Sequence, residues 1–379
     1  MSSALVTGAT GMNGGAIIHH LMKDPSYNKV YSLSRRDPGY QTPKVQHVTM
    51  DLQSSVEDMV HNLDGVSAEY IYFCAYLARA DETELLRVNV TLLRNFLQAL
   101  KATGADKNIK RFILTCGFKQ YGVHLGQNKQ PSWKMIPEFA TNSDWEWIVT
   151  LPEDVLGKAL PGSELPYPGS KANYFAFNCW TSANLHAKFC LWAARAPAAG
   201  NNIFNVMNGD TESFQNLWPR LAARFGCRIP DPMFPNGGVP NTKGFKDYES
   251  TTIPLKNRPP IQACASSLGL SSDALVKETP TLFLQVDPVK WARRGDVNEA
   301  WAGLRDKYHL DQQAWAKATW DFLVLTMGRD WSCVASMSKA RKLGWSRYAD
   351  TWEELDTFRM LEDTGVLPPV DQLRRDFSL

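Results

Sequence analysis

Three glycines stand within seven residues, Gly8-Ala9-Thr10-Gly11-Met12-Asn13-Gly14, between a short apolar run and a segment of helical period. Glycine at such places removes the side chains that would hold a pyrophosphate away from the backbone. A helix starting there directs unpaired N–H groups and the positive end of its dipole at the same anion. Gly8, Thr10, Gly11, Met12, Asn13 and Gly14 are therefore candidate contacts for a dinucleotide. Ser34-Arg35-Arg36 falls where a second strand ends. A carboxylate at this place would hold the ribose 2′-hydroxyl of NAD and repel a 2′-phosphate. Two guanidiniums instead form directed, charged hydrogen bonds to that phosphate, so NADPH/NADP+ is the expected cofactor. By position, Asp51 and Leu52 edge the adenine, Ala75 lies along the cofactor backbone, and Thr115 and Pro152 extend the contact set.

Alternating strands and helices must hold these residues in place. Residues 4–7, 29–33, 44–49, 69–76 and 111–115 read as strands, and 15–22 as a helix. In 85–103, Leu85, Val88, Leu92, Leu93, Phe96 and Leu100 recur close to a 3.6-residue period, which predicts a second helix. This order predicts an α/β protein, an extended Rossmann-like doubly wound parallel sheet with a smaller, mainly helical substrate or cap lobe. Beyond Cys116, Pro131, Pro137, Pro152, Pro161, Pro166 and Pro168 divide the chain into short pieces that carry Trp133, Trp145 and Trp147. A helix is expected over 182–196, a strand over 201–206 and an amphipathic helix over 214–225. Proline and glycine then dominate 227–279, and the tryptophan-rich remainder reads as helical with few strands. The expected division is 1–160 as the dinucleotide-binding core, 161–226 as the remaining core with substrate-facing elements, and 227–379 as a loop-rich, then helical, C-terminal lobe.

Composition narrows the classes. The 379 residues are 44% hydrophobic, enough for a sizeable core. Forty-one Lys and Arg against 39 Asp and Glu leave a net charge of +2, which supplies no broad positive field for nucleic acid or anionic lipid. The seven cysteines are scattered without a Cys-x-x-Cys pair, and the seven histidines form no metal-binding spacing, so no disulfide scaffold and no metal are expected. The opening residues lack a basic, cleavable leader, and no apolar run reaches about 18 residues. The expectation is a cytoplasmic protein whose partner is a small apolar molecule, with no nucleic acid and no membrane; a homodimer is compatible with it. Asn89-Val90-Thr91 is a formal glycosylation sequon inside a helix, and Ser336-Met337-Ser338-Lys339 has a Ser-x-x-Lys spacing without a nucleophile framework; both read as structure.

Five segments together carry a family resemblance: Gly8-Ala9-Thr10-Gly11, Ser34-Arg35-Arg36, Thr115-Cys116-Gly117-Phe118-Lys119-Gln120-Tyr121, Phe204-Asn205-Val206-Met207-Asn208-Gly209-Asp210 and Ser336-Met337-Ser338-Lys339-Ala340-Arg341-Lys342. Over nearly its whole length the chain resembles the progesterone 5β-reductase and iridoid synthase-like (PRISE) group of atypical short-chain dehydrogenases, in a divergent, fungal-like microbial form. That resemblance implies an extended Rossmann fold, NADPH, and 1,4-reduction of a carbon–carbon double bond next to a carbonyl. Lys119 lies just past the fifth strand, where a lysine can bind nicotinamide ribose or stabilise an oxyanion; it matches the lysine of the family's Gly-x-Lys-x-Tyr segment. Tyr121 is the tyrosine of that segment, and His124, three residues further on, is a candidate acid or base at the border of the substrate pocket.

The chain also departs from the family. The oxygen-facing tyrosine of an Asn-Phe-Tyr-Tyr-x-x-Glu-Asp segment is missing, since the interval between Lys119 and Trp145 holds no tyrosine beyond Tyr121. Tyr167-Pro168-Gly169-Ser170-Lys171 has the Tyr-x-x-x-Lys spacing of ordinary short-chain dehydrogenases, which makes Tyr167 and Lys171 formal catalytic candidates. Proline and glycine directly after the tyrosine oppose a helix there, and the same spacing recurs from Tyr40 to Lys44 in an evident loop. Three readings stay open. One is an NADPH-dependent enone or enal reductase acting on a small apolar, secondary-metabolite type of substrate. Another is a non-redox cyclase or isomerase on a reactive polyene or enone, with aromatic walls such as Phe175, Phe177 and Trp180 and a retained nucleotide fold. The third is a catalytically silent NADP(H)-binding protein.

Overall fold

From Ala4 onward every residue of the first strand, β1 (Ser2–Thr7), is buried, which requires neighbours on both edges and cover on both faces. The computed structural model supplies them. It describes residues 1–79, 81–117, 121–129, 164–235, 237, 250–318, 320–356, 361–363 and 365–376. β1 pairs in parallel with β2 (Tyr27–Ser34) on one side and with β4 (Tyr70–Phe73) on the other. Outside these lie β3 (Val45–Thr49) on β2 and β5 (Arg111–Leu114) on β4, giving the order β3-β2-β1-β4-β5. Thr7 is level with Leu33 and Phe73, and Phe73 with Leu114, so the carboxyl ends of four strands come level. The chain changes its direction of winding between β1 and β4, the place where a crevice opens above such a sheet.

Alternation along the strands divides the core in two. Leu5, Leu33, Ile71 and Phe73 face Phe96, Ala99 and Leu100 of α3 (Glu82–Ala102), with Met59 of α2 (Val56–Asn62) beside them. Ala4, Val6, Val30 and Tyr72 face the other way, onto Ile17, Ile18 and Leu21 of α1 (Met12–Lys23) and Ala187 and Cys190 of a helix from the second half of the chain, Ala183–Arg195. Ile17, Ile18 and Leu21 are completely buried, each contributing about 1.5–3 kcal/mol of apolar transfer energy. The doubly wound parallel sheet expected from the sequence is the fold.

The second half is less regular. After Glu164 come α4 (Lys171–Phe175), a two-residue strand β6 (Phe177–Asn178), α5 (Ala183–Arg195), β7 (Glu212–Ser213) and α6 (Phe214–Arg224). β8 (Thr251–Pro254) and β9 (Thr281–Leu284) form an antiparallel pair, followed by α7 (Gly295–Tyr308) and α8 (Trp320–Gly328). One apolar cluster joins Tyr167, Trp180, Phe214 and Trp218 to Leu284, Leu323 and Leu373. No helix among the described residues is long and apolar enough to cross a membrane.

Three expectations need correction. The fourth strand stops at Phe73 rather than at 76, because the next two N–H groups, of Cys74 and Ala75, donate to Thr7 Oγ1 (3.1 and 3.3 Å) instead of to a neighbouring strand. Residues 201–206 form no strand. Their neighbourhood is tied by single bonds, from Thr181 Oγ1 to the Val206 carbonyl (2.5 Å) and from the Asn208 N–H to the Trp180 carbonyl (2.7 Å). The β8–β9 pair lies in sequence read as loop and then helix; Pro254 ends one strand and Pro280 precedes the other, positions where a missing N–H costs no ladder bond.

Candidate functional site

The turn after β1 is built from backbone. Gly8 has φ of +66°, and a Cβ there would lie 3.0 Å from the carbonyl carbon and oxygen of Cys74 at the end of β4. Only glycine combines that dihedral with that approach. A Cβ on Gly14 would meet the Gly8 carbonyl oxygen at 2.3 Å, so α1 can press against the turn only with glycine in its first turn. The Gly11 N–H donates to the Gly8 carbonyl (2.9 Å), closing the loop. Thr7, completely buried, holds the adjacent end of β4 through its hydroxyl, and the Ala9 N–H reaches the Leu33 carbonyl of β2 (3.3 Å).

α1 then begins without a side-chain cap and without an acidic residue in its first turn. By contrast, α2, α3 and α5 are capped by Ser55, Asp81 and Ser182. The amide oxygen of Asn13, in that uncapped turn, is buried with no hydrogen-bond partner. The uncapped backbone N–H groups of this turn fit a phosphate-bearing ligand: donors without acceptors, no competing carboxylate, and no Cβ in the way.

The neighbouring strand ends supply the rest of the rim. Ser34 Oγ donates to the Arg36 carbonyl (2.7 Å), turning the chain so that Arg35 and Arg36 stand exposed, neither with an acid partner among the described residues. Asp37, next in sequence, accepts the Gly39 N–H (2.8 Å). Asp51 accepts the Gln53 N–H (2.9 Å) in the turn after β3, and Leu52 packs against the α3-side core. Ala75 is half-buried beside Thr7, and Thr115 extends β5 by donating its N–H to the Phe73 carbonyl (2.9 Å). Burial pushes the Cys74 thiol up to about 12, and it lies 3.3 Å from Thr115 Oγ1, so it is neutral and no nucleophile. The structure thus brings Gly8 to Gly14, Ser34 to Arg36, Asp51, Leu52, Ala75 and Thr115 to one carboxyl edge.

The catalytic candidates are placed differently. Lys119 and Pro152 lie outside the described residues, as do Trp133, Trp145 and Trp147. Tyr121 donates its phenol to Asn205 Oδ1 (2.8 Å), and Asn205 Nδ2 donates to the Ser336 carbonyl (3.2 Å), so it ties three segments together. His124 is half-buried in the same stretch, which the C-terminal half holds through Trp331 Nε1 on the Val123 carbonyl (3.0 Å). Tyr167 is completely buried, its ring set against Tyr174, Phe214 and Trp218 and its phenol donating to buried Asn173. Lys171 opens α4, capped by Ser170, while Tyr167 precedes that cap. The tyrosine and lysine therefore share no helix face, as the intervening proline and glycine require. Gly169 allows the ring to fold back, since a Cβ there would lie 2.6 Å from it.

Sequence reasoning missed Thr7 and Asn89. The Asn89 side chain accepts the Leu77 N–H (2.9 Å) and donates to the Leu77 carbonyl (2.8 Å), fixing the loop that leaves β4 for the rim. An asparagine on the half-buried flank of a helix facing a loop was the available signal.

Comparisons with known proteins bear on the same region. Residues 4–144 match the family model described as the NAD dependent epimerase/dehydratase family. The protein C757.02c of Schizosaccharomyces pombe is 30% identical over 96% of this chain and 98% of its own length. The short chain dehydrogenase gsfE of Penicillium aethiopicum is 24% identical over 97% and 99%. The (S)-8-oxocitronellyl enol synthase ISY2 of Nepeta cataria is 24% identical over 59% of this chain and 68% of its own. Among solved structures, dTDP-glucose 4,6-dehydratase from Bacillus anthracis in complex with NAD superposes with a TM-score of 0.44 at 14% identity, over 60% of this chain and 82% of that one. With similarity to the Schizosaccharomyces pombe protein over nearly the full length of both, the chain belongs to one family with C757.02c; it is an enzyme whose residues 4–144, the glycine turn and its sheet, resemble the NAD dependent epimerase/dehydratase family.

Proposed function

We propose that the chain binds NADPH along the carboxyl edge of its sheet and reduces a carbon–carbon double bond conjugated to a carbonyl in a small apolar molecule. The observation that carries the cofactor choice is the exposed pair Arg35 and Arg36 at the end of β2, unpaired among the described residues and beside the uncapped start of α1. Asp37 stands too, but its carboxylate is engaged by the Gly39 N–H. The cofactor supplies a hydride when bound. The chain's own residues hold its phosphates through the α1 N–H groups and its 2′-phosphate through the two guanidiniums.

Addition at the far carbon of an enone leaves negative charge on the carbonyl oxygen, and the relative from Nepeta cataria is named for an enol product. Lys119, five residues beyond the last residue of β5, is the proposed group for that charge. One such donor contributes about 2.7–4 kcal/mol to a transition state. Tyr121, whose phenol is committed to Asn205, anchors the chain at its own position rather than delivering a proton.

A specific observation favours a second reading, the non-redox cyclase or isomerase. The family's tyrosine is missing from 119–145, and Tyr167 is sealed in the core. Incubation with activated enones and polyenes, with NADPH, with NADP+ and with neither, decides between the two. Stoichiometric loss of NADPH with a gain of two hydrogens supports reduction, whereas a product of unchanged mass without cofactor consumption replaces it with cyclisation or isomerisation.

A further inference from the structure

A cleft of about 670 Å³ opens at the far end of α1 from the glycine turn, between the C-terminal ends of α1 and α5 and the segment 344–347. Twelve residues at 1.5 Å per residue put it about 18 Å from that turn along the helix axis. Its volume suits a small molecule. Lys23, Lys188, Arg195 and Arg347 line it against the single carboxylate of Asp24. Those five side chains carry a net charge of +3, whereas the entire chain carries +2.

Local structure accounts for only part of this charge. Arg195 uses Asp24 (2.7 Å) and lies over the Tyr27 ring, 4.6 Å from its centroid. The carbonyls of Met22 and Asp24 at the end of α1 already accept from Lys44 Nζ (3.1 and 2.6 Å), so Lys23 is not needed there. Lys188 lies in the middle of α5 and Arg347 in the segment after Gly344. Neither forms an ion pair among the described residues, and the one acid in the cleft is taken. Like charges converging without counterions raise the energy of the free protein, and an anion relieves it.

The remaining wall is aromatic. Trp192, half-buried, and Trp345, 3% exposed, pack at 5.5 Å between ring centroids. The Trp345 Nε1–H is buried without a hydrogen-bond partner. His20 completes the floor as a neutral ring: burial holds its pKa below the usual range, and its Nε2 donates to Asn184 Oδ1 (2.7 Å).

We propose that this cleft is a second ligand site, separate from the nucleotide edge, for a small molecule that carries an anionic group on a flat ring. Lys188 and Arg347 hold the anion, and Trp192 contacts the ring. Phosphate and carboxylate share the required chemistry, and the test separates them.

The full chain is titrated calorimetrically with 1-naphthyl phosphate, 1-naphthoate and neutral 1-naphthol. The same titrations are run on K188Q/R347Q and on R35A/R36A, with thermal melts to establish folding. The expected result is binding of one or both acids about tenfold or more tighter than naphthol, weakened about tenfold or more in K188Q/R347Q and unchanged in R35A/R36A. Tighter binding of the phosphate assigns a phosphorylated ligand, and tighter binding of the carboxylate an acid. Absence of binding, equal binding of naphthol, or indifference to K188Q/R347Q overturns the site. Loss in R35A/R36A instead assigns the anion to the nucleotide edge and also overturns it. Failure of NADPH binding leaves this outcome untouched, because the two sites share no residue.

Discussion

The carboxyl edge of the sheet and the aromatic core of the C-terminal half contain similar polar groups and use them in opposite ways. At the edge, α1 starts uncapped, Asn13 Oδ1 has no partner, and Arg35 and Arg36 stand free among the described residues. In the lobe, Tyr167 donates to Asn173, Asn173 Nδ2 donates to the Thr326 carbonyl (3.1 Å), and Gln285 Nε2 donates to the Tyr167 carbonyl (2.9 Å), all of them buried. A phenol, amide or guanidinium marks a site when its bonds are left open, and architecture when they are closed inside a core. The sharpest break of this contrast is Gly14→Ala. Its Cβ would meet backbone at 2.3 Å and push α1 from the turn, misaligning several N–H groups at once. Loss of two charged hydrogen bonds, about 3 kcal/mol, predicts nucleotide affinity lower on the order of a hundredfold by calorimetry. Retained affinity in a folded G14A protein would move the nucleotide away from this turn.

Next in size is the arginine pair. R35A and R36A should each weaken NADPH by about 1.5–3 kcal/mol and leave NADH unchanged. Equal affinities for both cofactors, unaltered by the substitutions, would remove the 2′-phosphate assignment. K119A tests the chemistry rather than the cofactor: a folded variant should turn over about tenfold slower or worse. Unchanged kcat and KM on a substrate of the wild-type enzyme would take Lys119 out of the mechanism.

How much of each region the sequence foretells follows from the same contrast. All five parallel strands were legible, because β1, β2 and β4 are apolar runs closed by glycine, polar residues or a turn, and α3 keeps its period through Leu92, Phe96 and Leu100. Gly8, Gly11 and Gly14 were legible because their spacing is dictated by close approach of backbone. Thr7 was not: a threonine ending a strand looks like any β-former until its hydroxyl is seen to hold the next strand. In the second half the tertiary partner decides. Residues 201–206 have strand composition but no ladder, and Thr281–Leu284 sits behind prolines yet pairs, since its register partner lies some thirty residues earlier.

From the lobe's side, Tyr167→Phe sharpens the comparison. It leaves Asn173 Oδ1 buried without its donor, which costs about 1–3 kcal/mol of stability. Chemical denaturation should show that loss, while NADPH affinity stays at the wild-type value. A changed affinity with unchanged stability would place Tyr167, so far only a formal catalytic candidate, at the cofactor.

The smallest effect comes from α5, the helix that the second half lends to the sheet. His186 on this helix is 1% exposed, and burial lowers its pKa to about 4, against an ordinary 6.5. Between those values the unfolded chain binds a proton that the folded chain refuses, so stability is complete above pH 6.5 and falls as the pH falls toward 4. At pH 5.5, one unit into that window, the expected loss is about 1 kcal/mol. His20 is lowered in the same direction, again through burial, and adds to the slope. The depressed carboxyl groups of Asp24 and Asp296 titrate below this range and contribute nothing to it. Denaturation midpoints at pH 7 and 5.5 should therefore differ in the wild type and differ less in H186Q. Saturating NADPH should raise both midpoints, because it acts at the carboxyl edge by mass action and not through α5. A pH response that survives H186Q undiminished would place the titrating group elsewhere, and one that disappears with bound nucleotide would couple the edge to α5, contrary to the separation drawn between the two regions.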